Sequence, residues 1–170
     1  DINPLSPILV RPRLEPPSLE ELPRRAAALP LALDVESWQD LSVFYHPDVL
    51  RAVSSMRHYF AGPERDAMDR WFCMVATNRL TGHSPGFLSV YSLPPNQAVS
   101  IQSQTRINAK RNQVPPPRDV CAILVKKSKQ LLKDLTTFER ATLAGVAPHA
   151  RLVTASCDAT PQFPDNSVHL

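Results

Sequence analysis

Proline constrains this chain more than any other residue, because 18 of the 170 residues are proline and only four are glycine. Proline is about twice its usual ~5%, and glycine is well below its usual ~7%. Proline removes a backbone donor and breaks a helix interior, so we expect prolines to mark the joints between short helices. The four glycines form neither GxGxxG nor GxxxxGK[ST], which excludes a complete phosphate-binding loop within this sequence.

Composition indicates one soluble domain, with 43% hydrophobic and 21% charged residues. The apolar runs are shorter than the ~20 residues of a membrane span, so no membrane partner is expected. Cys73, Cys121 and Cys157 are odd in number and far apart, which fits neither a disulfide framework nor a zinc site. The five histidines show no metal-ligand spacing. We therefore expect a reducing, cytoplasmic location and no metal.

The charge is distributed unevenly along the chain. Residues 102–133 hold eight basic residues and one acid, whereas the rest holds eleven basic and fifteen acidic residues. The basic residues of this stretch are Arg106, Lys110, Arg111, Arg118, Lys126, Lys127, Lys129 and Lys133. Such a concentration is typical of a surface that binds a polyanion, although a solvated helix face has the same composition.

Apolar spacing and capping signals predict several short helices. Ser18, with Glu21 three residues later, predicts a helix through Ala28. Apolar residues spaced by three and four predict a helix from Pro47 to Phe60, which ends before Gly62. A further helix is expected from Pro63 toward Asn78, and the clearest one carries an apolar stripe from Val120 to Leu135.

The other segments are expected to be extended or irregular. Residues 1–17 contain five prolines and are interpreted as an extended connector. Residues 96–117 lack apolar periodicity and predict a loop with one or two helical turns. Arg151–Ser156 has a β-type pattern, and a turn at residues 164–166 precedes a second apolar run at 168–170. This ending predicts an α/β element.

The opening DINPLS resembles the segment after the second strand of class I S-adenosylmethionine-dependent DNA methyltransferases of the amino-methylating (N4-cytosine or N6-adenine) type. The closing LVTASCDATPQFPDNSVHL is similar to their third strand, the following loop and the approach to the catalytic strand. The middle, from MVATNRLTGHSPG to QVPPPRDV, resembles the inserted region of a bacterial DNA methylase group. The resemblance implies an α/β, Rossmann-like sheet that carries a large, mainly helical insertion.

In that arrangement, residues 1–17 end the second core strand and form a connector. Residues 18–150 are the mainly helical insertion, and residues 151–170 are the third strand, the cofactor loop and the start of the catalytic strand. The family's glycine-rich motif and its catalytic (D/S/N)PP(Y/F) motif are both absent, and Pro94-Pro95-Asn96 lacks the aromatic residue. His169 stands where the family usually has an acid. We therefore expect a fragment, assign no catalytic residue and predict no methyl transfer by the isolated chain.

The resemblance also implies a cofactor edge for S-adenosylmethionine. Asp1 would accept hydrogen bonds from the ribose hydroxyls, and Asp158 would face the adenine amino group. Asn3 and Ala159 are grouped with them as cofactor-binding residues. A solvated Asp1 and a turn residue at Asp158 are the structural alternatives.

The insertion is expected to contact DNA. Arg106, Lys110 and Arg111 can reach phosphates, and the amides of residues 102–113 can read base edges. The expected DNA-binding residues are Asn78, Arg79, His83, Gln104, Arg106, Asn108, Lys110, Arg111 and Asn112. Lys126, Lys127, Lys129 and Lys133 are interpreted as the solvated face of a helix. The alternatives are an RNA methyltransferase and a free-standing helical module that binds nucleic acid without catalysis.

Overall fold

A computed structural model describes residues 2–35, 40–63, 65–93 and 99–156, together with residues 158, 161, 164 and 167. Within this part of the chain, α-helices are the main regular structure. They are α1 (Leu5–Leu14), α2 (Leu22–Ala27), α3 (Pro47–Ala61), α4 (Ala67–Arg79), α5 (Ile101–Arg111), α6 (Val120–Leu132) and α7 (Thr137–Val146), followed by a 3₁₀ turn at Ala147–His149. In the described residues, no helix is both long and apolar enough to cross a membrane.

The hydrophobic core surrounds α4, whose Phe72, Met74 and Val75 are fully buried. This helix packs against α1, α3 and α6, while α2 packs against α6 and α1 packs against α7. Between α4 and α6, the buried Trp71 Nε1 donates a hydrogen bond of 2.9 Å to Ser128 Oγ. This bond fixes the rotation of α6 and therefore decides which of its faces remains outside.

Two of the predicted helices are confirmed because their signals are local. α3 begins at Pro47 and is followed by Gly62, as the sequence indicates. α6 begins at Val120, where the N-cap Asp119 accepts a hydrogen bond of 2.8 Å from the Ala122 backbone N–H. Of its apolar stripe, Val120, Leu124 and Leu132 are buried, whereas Leu131 is exposed.

Two other helices form but begin later than predicted. α2 begins at Leu22 rather than Ser18, whose hydroxyl instead accepts from the Glu20 N–H at 3.2 Å. α4 begins at Ala67 rather than Pro63, because Asp66 is the N-cap and accepts from the Asp69 N–H at 2.8 Å. A capping side chain therefore marks the start of α4, whereas α2 starts without a side-chain cap and has Pro23 in its first turn.

The prediction of an extended connector at residues 1–17 is wrong for residues 5–14, which form α1. Pro7 lies in the first turn of α1, where backbone N–H groups have no acceptor within the helix. The N–H that proline lacks would therefore make no helical hydrogen bond there. Pro12 lies inside the helix but is buried. Arg11 Nη1 also donates to the carbonyls of Ala147 and Ala150, both at 3.2 Å. Tertiary packing thus stabilises a helix that proline content alone disfavours.

The loop predicted for residues 96–117 is wrong for residues 101–111, which form the three turns of α5. Its start is capped by Ser100, whose hydroxyl accepts from the Ser103 N–H at 3.1 Å. Its end is closed by Asn112, which adopts the left-handed conformation with φ 47°. The apolar stripe that usually marks a helix is replaced here by a buried amide, Gln104.

The expected α/β, Rossmann-like sheet is contradicted. The described residues are 54% helical with 1% strand content, and that strand content is an isolated parallel bridge between Gly82 and Tyr91. Residues 151–156, predicted as the third core strand, are described without regular secondary structure. A β-strand is stabilised by backbone hydrogen bonds to a neighbouring strand, and helices cannot take the place of that strand.

Candidate nucleic-acid interface

Three amides on α5 and just after it are used inside the protein. Gln104 Nε2 donates to the Tyr91 carbonyl at 2.9 Å and to Asn108 Oδ1 at 2.7 Å. Gln113 Nε2 donates to the same two acceptors, at 3.1 and 2.8 Å. Asn108 Nδ2 completes the amide cluster by donating to the Val43 carbonyl at 2.8 Å. Gln104 is fully buried, so these amides hold α5 against two loops and are not presented to base edges.

The cations of α5 lie on its outer side. Arg106, Lys110 and Arg111 are exposed, as is Asn112 at the end of the helix. The Arg111 guanidinium lies over the Tyr91 ring, 3.4 Å from the ring centre. This cation–π contact holds one cation at a fixed position beside the amide cluster. The outer side of α5 is therefore a small basic surface.

A second basic surface is a groove that the sequence analysis did not identify. It is a cavity of about 540 Å³ between the C-terminal end of α4, the turn at residues 84–86 and α6. We call it the basic groove. The charged residues that line it, among those described, are Arg79, Arg118, Asp119, Lys126 and Lys127. A cavity of this size is within the usual range for ligand pockets.

The position of α6 explains why its lysines line the basic groove. Val120, Leu124, Ser128 and Leu132 are buried on one side of the helix. Lys126 and Lys127 therefore lie on the side that faces the turn at 84–86. Lys129 on the same helix and Lys133 just after its end are exposed but do not line the groove. The sequence signal for this site was the local excess of basic residues, which does not indicate the fold of the surrounding chain.

The charges of the basic groove are largely unneutralised. Its carboxylate, Asp119, already accepts the hydrogen bond that caps α6. Arg118 has a buried Nε that no hydrogen bond in the described part of the chain satisfies. Cations without a carboxylate partner attract anions from solution. A concave site strengthens this attraction because it focuses the electric field. The basic groove is therefore suited to a phosphate-bearing ligand.

Of the three predicted DNA-binding residues at 78–83, Arg79 lines the basic groove. Asn78 Nδ2 donates to the Met74 carbonyl at 2.9 Å, which closes the last turn of α4. His83 is exposed, and its ring centre lies 6.1 Å from that of Phe87. Arg79 also lies over Phe87, with its guanidinium carbon 4.1 Å from the ring centre. Burial lowers the pKa of Arg79 from its ordinary value.

The described residues do not form the expected site for S-adenosylmethionine. Asp1 and Ala159 lie outside them. Asn3 Oδ1 accepts from the Leu5 N–H at 3.0 Å, next to the start of α1. Asp158 is exposed, and its N–H donates to Ser156 Oγ at 3.5 Å. The strand ends that would present these groups to a ribose and an adenine are not formed in this part of the chain.

No protein-family model matches this chain, and neither a curated protein nor a solved structure matches it significantly.

Proposed function

We propose that this chain binds DNA through the basic groove and the outer side of α5. In this proposal it is the DNA-contacting part of an S-adenosylmethionine-dependent methyltransferase that acts on an exocyclic amino group of a base. The observation that carries the DNA contact is the assembly of Arg79, Arg118, Lys126 and Lys127 in one groove. The enzyme class rests on the resemblance of DINPLS and the closing segment to the methyltransferase family.

The chemistry of the basic groove favours a polyanion over a single small anion. The groove brings together cations from the end of α4, from the segment before α6 and from α6 itself. Arg106 and Lys110 supply further exposed cations on another helix. A nucleic acid can occupy several such sites at once, because each neutralised phosphate releases a counterion.

Two lysine pairs, on α6 and at its C-terminal end, provide the test and its matched control. K126A/K127A removes two cations from the basic groove, whereas K129A/K133A removes two exposed cations from outside it. Binding of fluorescent duplex DNA to the 170-residue chain is measured by anisotropy at several salt concentrations. We expect K126A/K127A to flatten the slope of log affinity against log salt by up to ~2 units. K129A/K133A should change it by less than half as much.

The same titrations distinguish the alternatives. Equal effects of the two lysine pairs would show that binding follows overall charge and would overturn the assignment to the groove. If RNA of the same length binds more tightly than DNA at the same salt concentration, the RNA methyltransferase is favoured. The natural polypeptide that carries this sequence should transfer labelled methyl groups to DNA. DNA binding without any such transfer would favour a free-standing binding module.

A further inference from the structure

Arg79 differs from the other cations of the basic groove in how firmly it is held. Its guanidinium lies on the ring of Phe87, and its Nε donates to the Asn78 carbonyl at 2.8 Å. The two Nη groups have no hydrogen-bond partner among the described residues. Arg79 is half-buried, whereas Lys126 is exposed. The orientation of the guanidinium plane is therefore fixed before any ligand arrives.

Phe87 is itself held in place by the turn that precedes it. A Cβ at Gly82 would lie 2.5 Å from atoms of the Phe87 ring, so the glycine allows the ring to approach the backbone closely. The Phe87 N–H also donates to the Ser84 carbonyl at 3.1 Å. The ring that supports Arg79 thus belongs to a closed turn, and the turn forms one wall of the basic groove.

A fixed guanidinium and a mobile ammonium have different uses on DNA. Lysine carries a strongly hydrated point charge on a flexible stem, which suits phosphate contacts without sequence preference. The arginine fork can donate two parallel hydrogen bonds to O6 and N7 of guanine, the commonest specific contact in protein–DNA complexes. Fixing that fork in advance reduces the entropy lost when both bonds form.

We propose that Arg79 reads a guanine edge while Lys126 and Lys127 hold the neighbouring phosphates, which makes Arg79 a residue that determines sequence preference. This inference rests on the proposed DNA-binding function and adds a base-specific contact to it. It predicts that the chain discriminates guanine from other bases at one position of its site by about 5- to 150-fold.

The test is selection from a randomised duplex library by the wild-type chain and by R79K, with circular dichroism to check that both fold. The lysine keeps the charge but cannot form the planar pair of bonds. We expect the wild type to enrich a motif with one invariant guanine and R79K to lose that preference. The salt slope of R79K should be unchanged, because the charge remains.

A second variant, F87L, keeps an apolar side chain in the turn but removes the aromatic face beneath Arg79. We expect it to weaken the guanine preference in the same direction as R79K and by a smaller factor. An R79K chain that selects the wild-type motif with equal discrimination would overturn the proposal. A uniform loss of affinity with a flatter salt slope would also overturn it, because that is the behaviour of a phosphate contact. Failure of the proposed function looks different, since the wild type itself would then bind no DNA.

Discussion

The amide cluster of α5 and the basic groove are both rich in polar side chains, yet the fold uses them in opposite ways. In the amide cluster, Gln104, Asn108 and Gln113 find acceptors in one another and in backbone carbonyls. In the basic groove, Lys126 and Lys127 have no ion pair among the described residues. Amides carry both donors and acceptors and can satisfy each other, whereas cations carry donors alone.

This difference indicates where to look for a partner. The donors of the amide cluster are already bonded inside the protein and gain little from a ligand, although the buried Gln104 Oε1 accepts no hydrogen bond among the described residues. A cation without a carboxylate gains a charge-assisted contact when an anion arrives. The basic groove and the outer side of α5 are therefore the better places to test for DNA contact, although the sequence suggested the amides as well.

The largest expected effect tests whether the outer side of α5 behaves like the basic groove. Replacing Arg106, Lys110 and Arg111 together by alanine removes up to three phosphate contacts. We expect the salt slope to flatten by up to ~3 units and the affinity at physiological salt to fall by up to ~100-fold. Anisotropy titrations measure both quantities. Parental affinity and slope in the triple variant would show that this side of α5 is a solvated surface.

A smaller effect is expected from a substitution in the amide cluster, and it concerns the free energy of unfolding instead of DNA affinity. Asn108→Ala removes the bond to the Val43 carbonyl and the acceptor shared by Gln104 and Gln113. Because two amide donors lose a partner, we expect the free energy of unfolding to fall by about 2 kcal/mol, or about 30-fold in the folding equilibrium. Urea denaturation measures it. DNA affinity of the folded chain should stay within about twofold of the parental value, and a clear loss there would place Asn108 in the interface.

The helices show which features could be predicted from local sequence. Both ends of α3 and the start of α6 follow from neighbouring residues such as Gly62 and Asp119, so the sequence indicates them. α1 was missed because the burial of Pro12 depends on residues far along the chain. The sequence does not predict α5, because its buried side chain is an amide, Gln104, and the usual signal for a helix is a stripe of apolar side chains. The prediction of a sheet is wrong for a similar reason, because the pairing of a strand depends on a partner that is distant in the sequence.

The candidate site was predictable only in part. The excess of basic residues between 102 and 133 indicated a polyanion surface, and Arg106, Lys110 and Arg111 are exposed as expected. The basic groove brings Arg79 together with Lys126 and Lys127, more than forty residues later. That proximity follows from the packing of α4 against α6 and from the bond between Trp71 and Ser128. The spacing of residues along the sequence does not predict this proximity.

The smallest expected effect is an increase in affinity, which makes it a sharp test of the basic groove. Asp119 is the carboxylate that lines the groove, and its position as N-cap of α6 allows a matched replacement. Asp119→Ser keeps a side-chain oxygen that can accept from the Ala122 N–H, so α6 should retain its start. The substitution removes one negative charge near the site where a phosphate would lie. We expect DNA to bind about 2- to 5-fold more tightly at low salt and this gain to shrink at high salt.

The control for this gain is Asp134→Ser, which removes an exposed carboxylate beyond the end of α6 and away from the residues that line the basic groove. Both variants raise the net charge by one, so an effect of overall charge would be the same in each. If Asp119→Ser binds more tightly and Asp134→Ser does not, the added attraction is local to the groove. Equal gains would assign the effect to net charge. A loss of affinity in Asp119→Ser with an intact helix would mean that the carboxylate itself takes part in binding, and the lysines and arginines around it would then have to be reassigned to a ligand that carries a hydrogen-bond donor.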